Sequence, residues 1–179
     1  QIAEAVASVS AASALDVRHH PADLRDAVAI ETMVAEISAL SAIDIVVNCA
    51  GVQHTAPLGE MPAERWDALI AINLSAAFHT LRLTLPSMAE RGYGRAINIA
   101  SVHGLVASVQ KAPYVASKFG LIGLSKVAAL EYASAGTRAS GGVTVNCICP
   151  GWVETPLIEP QIAARAVAFD GDREAGVRE

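Results

Sequence analysis

The chain has 179 residues, a formal net charge of -5, 53% hydrophobic residues and 17% charged ones. That length carries one domain with a substantial core, and so apolar a composition excludes disorder. No basic cluster accompanies the acidic balance, which argues against nucleic acid as the main partner.

In chain order, residues Leu24–Leu40 show helical periodicity, followed by the short apolar run 43–49 (Ile-Asp-Ile-Val-Val-Asn-Cys). Residues Ala63–Arg91 read as helix with a break. Pro62 suits its first turn, and Pro86 should end or kink it. Gly92 and Gly94 suit a helix stop and a strand entry. Ala96–Ala100 and Val143–Cys149 are two further apolar runs, with a helical pattern over Tyr114–Ala133 between them. Runs of this kind suit parallel strands covered on both faces. Ser134–Gly142 reads as a flexible turn, and Phe169–Glu179 as a charged, patternless terminus. The alternation of strand and helix predicts an α/β fold with a doubly wound parallel sheet. No internal repeat or low-complexity linker divides the chain.

Aromatics are only 4% of the chain, so the core has to be built from Ala, Val, Ile and Leu. Cys49, Cys147 and Cys149 lie in or beside strand-like runs. Their number and spacing suit neither a disulfide framework nor a zinc site, so reduced core thiols and no metal are expected. No apolar run of about 18 residues and no signal peptide is visible, although the chain does not begin with Met. A cytoplasmic protein without membrane contact is the expectation.

The polar signals gather at the ends of the strand-like runs. Asn48-Cys49-Ala50-Gly51 closes one, Ser101 and His103 follow another, and Pro150-Gly151-Trp152 follows the third. In open α/β sheets, ligands bind beyond the carboxyl ends of the strands. Tyr114 and Lys118, in Tyr-Val-Ala-Ser-Lys, stand four apart on one helix face. An ammonium close to a phenol favours the phenolate, so such a pair can move a proton to or from an alcohol oxygen. The spacing alone is weak, because Tyr and Lys often meet this way on a solvated helix face. Its convergence with three polar strand ends is what gives it weight.

These segments resemble the short-chain dehydrogenases/reductases. Asn-Cys-Ala-Gly is similar to that family's Asn-Asn-Ala-Gly motif, with Cys49 in place of the second Asn. Asn73, Ser101, Tyr114 and Lys118 match its catalytic tetrad in order and spacing, and Cys-Pro-Gly-Trp-Val-Glu-Thr matches its Pro-Gly loop. The likeness runs from about Asp16 to Arg165 and implies a Rossmann-type domain in incomplete form. Residues 1–179 would be a single partial dinucleotide-binding and catalytic domain, with 152–179 as a substrate-loop region and frayed terminus. The resemblance implies Gln1–Leu15 as a helix and Asp16–His20 as a strand. The family's Gly-rich phosphate-binding turn and its last strand find no counterpart, so about two β-α units would be missing in front, and little activity is expected of the chain alone.

Within the family, the segments Gly51-Val-Gln-His-Thr-Ala, Asn73-Leu-Ser-Ala-Ala-Phe-His and Ile99-Ala-Ser-Val-His-Gly-Leu-Val-Ala-Ser are similar to a bacterial branch that oxidises D-3-hydroxybutyrate with NAD. By that likeness Tyr114 would be the acid/base and Lys118 would assist it and bind the nicotinamide ribose. Ser101 would hold the substrate oxygen and Asn73 a relaying water. Gln53, His103, Lys111 and Gln161 would surround the substrate carboxylate, with Trp152 beside them. Asp23 and Leu24 would border the adenine; Asn48, Ala50 and Gly51 the ribose; and Pro150, Val153 and Thr155 the nicotinamide amide. The small 3-hydroxy or 3-keto acid would be the substrate, NAD the cofactor with NADP still open, and a homotetramer the assembly. Read singly, Gln53 and Gln161 also suit loop residues facing water, and Lys111 a solvated helix entrance. Reduction of another small ketone or a 3-ketoacyl thioester is the alternative reaction. An inactive module kept for subunit contacts is the alternative outside enzymes.

Overall fold

Three of the apolar runs pair side by side in the computed structural model of the chain, which describes residues 2–13, 17–153 and 159–174. Strand β1 is Ile45–Asn48, β2 is Tyr93–Ile99 and β3 is Gly142–Ile148. They lie parallel in the order β1-β2-β3, with Val46 opposite Ala96 and Ala96 opposite Val145. Parallel neighbours need long crossovers, and helices supply them. Helices α1 (Ile2–Ser13) and α2 (Ala27–Leu40) precede the sheet. Helices α3 (Ala63–Ile70) and α4 (Ala76–Arg91) join β1 to β2. Helix α5 (Ala112–Glu131) joins β2 to β3, and α6 (Glu159–Ala166) follows the sheet. This is the helix-flanked parallel sheet of a Rossmann-type domain, in partial form.

The small side chains of the sequence decide the packing. Leu81, Leu85 and Met88 of α4 and Ala128 of α5 close on Ala96, Val143 and Val145 of the sheet. Ile30 and Val34 of α2 pack on Ala76. All these strand residues share one face, because side chains alternate along a strand. The opposite face is more open than the sequence suggests: Ile45, Val47 and Ile148 are 57, 54 and 51% exposed.

Several local expectations are corrected. The segment 17–20 is not a strand. A strand exists only through its ladder, and no described strand lies beside it; Asp16 is outside the described residues. Pro86 does not end its helix, which runs on to Arg91 and stops at Gly92 with φ of 72°. The break lies earlier, in a π-helical turn at Ala71–Ser75. The joined stretch Ala63–Arg91 is long and apolar enough, by length and composition, to cross a membrane. It is also a core helix here, with Leu81, Leu85 and Met88 on the sheet and Arg82 of its outer side paired with Glu31. The turn before β3 is held by Thr137 and Ser140, whose side chains bond each other's backbone N–H groups at 3.1 and 2.7 Å. Part of the supposed frayed terminus is anchored too: Arg173 forks onto both carboxylate oxygens of Glu159 at 3.0 and 2.9 Å.

Candidate active site

The chain leaves β2 through Ala100, whose N–H donates to the Ile148 carbonyl at 2.8 Å. Ser101 follows in extended conformation, and its Oγ accepts the His103 N–H at 3.1 Å. That cap starts a 3-10 turn, Val102–Gly104. Gly104 lets the turn press onto α5: a Cβ there would stand 2.5 Å from Ile122 Cδ1 and 2.8 Å from the Lys118 carbonyl oxygen. The turn and the helix therefore present their polar groups together. The rings of His103 and Tyr114 meet edge to face with centroids 6.0 Å apart. Lys118 Nζ stands 5.6 Å from the Tyr114 ring centre and donates to the Ile99 carbonyl at 2.7 Å. Ser101, His103, Tyr114 and Lys118 are all buried. Burial lowers the Lys118 pKa, with the thiols of Cys49, Cys147 and Cys149 working weakly the other way.

Asn73 sits in the π-helical turn, a distortion that often marks functional positions. Its side-chain amide pairs with one residue of the facing loop: Oδ1 accepts the Val52 N–H and Nδ2 donates to the Val52 carbonyl, both at 2.9 Å. This clamp sets Gly51 beside Asn73 and Lys118. A Cβ on Gly51 would lie 3.6 Å from Asn73 Oδ1 and 3.9 Å from Lys118 Nζ. The structure thus brings Asn73, Gly51, Lys118, Tyr114, Ser101 and His103 to one end of the sheet.

Gln53, two residues past Gly51, is not a loop residue facing water. Its Nε2 is buried without a hydrogen-bond partner, an arrangement that costs about 1–3 kcal/mol unless something accepts from it. His103 is pushed to a lower pKa by burial and then by Lys111. Its Nε2 lies 2.8 Å from Ser108 Oγ. Lys111 Nζ stands 5.4 Å over the Trp152 ring centre. Trp152 belongs to the loop after β3, which is tied to the site where the Pro150 carbonyl accepts the Val102 N–H at 2.9 Å. Val153 is exposed on that loop. Gln161 falls in α6, its side chain outside the described residues. Thr155 lies outside them altogether.

The expected adenosine side is more dispersed. Leu24 lines a cavity of about 370 Å³ together with Asn48, Cys49, Ala50 and Asn73. Asp23 instead turns to solvent, where hydrogen bonds from Arg25 lower its pKa to about 2. Asn48 offers that cavity little of its amide. Its Nδ2 donates to Asn98 Oδ1 and its Oδ1 accepts from Thr80 Oγ1, both at 2.8 Å. Asn98 Nδ2 passes the chain on to Ser125 Oγ at 2.7 Å. Sequence reasoning missed this row, along with Gly104 and Ser108. Asn98 inside an apolar strand was the one available signal.

Comparison with known proteins gives the family. Residues 1–166 match the family model for short chain dehydrogenase, and the chain belongs to that family. It is 52% identical over 157 residues to a D-beta-hydroxybutyrate dehydrogenase of Cupriavidus necator, covering 87% of this chain and 58% of the relative. It is 48% identical over 166 residues to a D-beta-hydroxybutyrate dehydrogenase of Rhizobium meliloti, covering 92% and 61%. The chain thus spans about three fifths of the length of these curated relatives. A solved gluconate 5-dehydrogenase of Burkholderia cenocepacia, in complex with NADP and tartrate, superposes with a TM-score of 0.73 at 29% identity, covering 87% of this chain and 64% of that one.

Proposed function

We propose that the whole protein is an oxidoreductase that interconverts D-3-hydroxybutyrate and acetoacetate with a nicotinamide cofactor, NAD by preference. Family membership and the NADP held by the solved neighbour support the cofactor class. The residues present fit it on the nicotinamide side. Lys118 commits one ammonium proton to the Ile99 carbonyl and has two left for ribose hydroxyls, beside a Gly51 that presents no side chain. Pro150 and Val153 would border the amide, and Leu24 and Ala50 the adenosine. The bound cofactor supplies the hydride acceptor for the alcohol carbon.

The chain's own residues move the proton and hold the substrate. Tyr114 takes the hydroxyl proton during oxidation and returns it during reduction. Ser101 Oγ holds the same oxygen and stabilises charge developing there. Lys118 supplies positive charge beside the ring, and Asn73 holds a water that carries the proton onward. Gln53, His103, Lys111 and Gln161 take the carboxylate, with Trp152 against Lys111. The buried Gln53 Nε2 offers a donor to a substrate oxygen, and the Lys111 ammonium on the same side carries the choice of an acid over a neutral thioester. A cytoplasmic homotetramer completes the reading. The exposed Phe78, Phe119, Val127 and Leu130 on α4 and α5 support assembly.

Steady-state oxidation tests this directly. Tyr114→Phe should lower kcat by about 10²–10⁴-fold while cofactor binding persists. Lys111→Ala should lower kcat/KM for D-3-hydroxybutyrate by roughly 10–100-fold, the weight of one charge-assisted hydrogen bond. The neutral alcohol 1,3-butanediol should lose much less. Equal losses on both substrates would remove the carboxylate assignment.

A further inference from the structure

We propose that the loop 105–110 is the positioning device of the acid-binding side, with Ser108 and Gln110 as its two pins. The inference rests on the hydroxy-acid reading above. Gln53, His103 and Lys111 come from three different segments: the loop after β1, the turn after β2 and the entrance of α5. Binding one carboxylate requires them to hold a common geometry to within about 0.5 Å. The turn and α5 also meet directly at the His103 and Tyr114 rings, and the loop adds contacts to the far side of His103 and to the Gln53 segment.

At one end, Ser108 Oγ lies 2.8 Å from His103 Nε2. That contact fixes the orientation of a buried histidine ring. At the other end, the Gln110 carbonyl accepts the Ala56 N–H at 3.0 Å. This ties the Gln53 loop to the residue preceding Lys111. Gln110 is left-handed, with φ of 62°, a region that disfavours ordinary L side chains and persists where the surroundings enforce it. The next residue, Lys111, is the N-cap of α5, so the turn at Gln110 sets the direction in which Lys111 leaves the loop. Apolar packing contributes little here: Leu105, Val106 and Val109 are 61, 54 and 86% exposed. The Leu105 and Val106 N–H groups donate to the Val102 carbonyl at the loop's start, and the polar pins hold the rest. No described hydrogen bond joins either pin to Asn73, Tyr114 or Lys118, so releasing one should disturb acid binding more than the proton-transfer pair.

The test follows D-3-hydroxybutyrate binding to the whole protein in the presence of NAD by NMR, with the His103 ring nitrogens and the Ala56 amide as internal probes. In Ser108→Ala, the acid dissociation constant should rise about three- to tenfold, the weight of one hydrogen bond. The His103 ring-nitrogen shifts should change as well, and Ser108→Thr should restore both. In Gln110→Val, the Ala56 amide should exchange faster and acid binding should weaken similarly. Gln110→Gly, which accepts the left-handed turn, should recover most of the loss. Ser108→Ala and Gln110→Val binding the acid as tightly as wild type would overturn the proposal, whatever their amide exchange. Weaker acid binding in Ser108→Ala with unchanged His103 shifts would also overturn it, since the loss would then not pass through that ring. A wild-type whole protein that binds no acid in the presence of NAD would remove the hydroxy-acid reading itself, and this inference with it; that result is distinct because it precedes any substitution.

Discussion

Burial and the Lys111 ammonium both oppose charge on His103 and hold its pKa below the usual histidine value, with burial the larger cause. The sign of the linkage follows. In the unfolded chain His103 titrates near ~6.5; in the folded chain it stays neutral to lower pH. Its contribution to stability is complete above the unfolded pKa and is lost as pH falls through the folded one. An imidazole NMR titration should find Lys111→Met raising the His103 pKa while leaving it below the ordinary value, because burial remains. No movement on removing Lys111 would separate the two side chains and break up the acid-binding set. At this scale the sequence was informative where chemistry restricts residue type: Tyr114 and Lys118 share a helix face as their spacing suggested, and Ser101 and Asn73 lie at the same end of the sheet as the family resemblance implied. It was silent where geometry decides. Nothing in Gly-Val-Gln-His marks Gln53 as buried with an orphaned donor, and nothing in the Asn48 strand end shows that its amide turns inward to Asn98 and Thr80.

The inward turn of Asn48 belongs to a row of side chains that stitches elements together. Thr80 of α4, Asn48 of β1, Asn98 of β2 and Ser125 of α5 bond in sequence across the sheet, with Cys147 Sγ of β3 also 3.0 Å from Ser125 Oγ. Asn98 is fully buried and holds the middle of the row. It lies one residue before Ile99, the carbonyl that receives Lys118, so the row braces the strand end that carries the site. Asn98→Leu should cost about 1–3 kcal/mol for each partner left unpaired, read as a lower urea midpoint with an unchanged slope. A midpoint equal to wild type would show that water replaces the lost partner and that the row is not structural. Strand and helix periodicity was legible because apolar spacing reports it. The π-helical turn at Ala71–Ser75 was not, since no local spacing marks it; it coincides with the clamp between Asn73 and Val52. Pro86 misled in the other direction: its exposed position in α4 lets the helix continue past a residue that local rules would make its end.

At the scale of the whole molecule, the same apolar strands that revealed the fold leave one face of the sheet open. Ile45, Val47 and Ile148 point away from α4 and α5 and are each more than half exposed. Among the described residues, β1 has a hydrogen-bonding neighbour only on its β2 side. An uncapped strand edge beside an exposed apolar face is a template for pairing with another chain. The composition did not show the open face, because a run of Ile and Val looks the same whether one face or two are covered. The chain by itself should therefore self-associate as its concentration rises, in a manner read by light scattering or sedimentation. Val47→Lys should suppress that association. Placed on a strand already 54% exposed at that side chain, a lysine keeps its ammonium in water and costs folding little, while two such charges brought together across a shared edge repel. The urea midpoint should accordingly move by no more than the change expected of a surface substitution, about 0.5 kcal/mol. Association that persists unchanged in Val47→Lys would assign it to the exposed helix residues Phe119 and Leu130 instead. A large loss of stability would show that the β1 face is covered in solution.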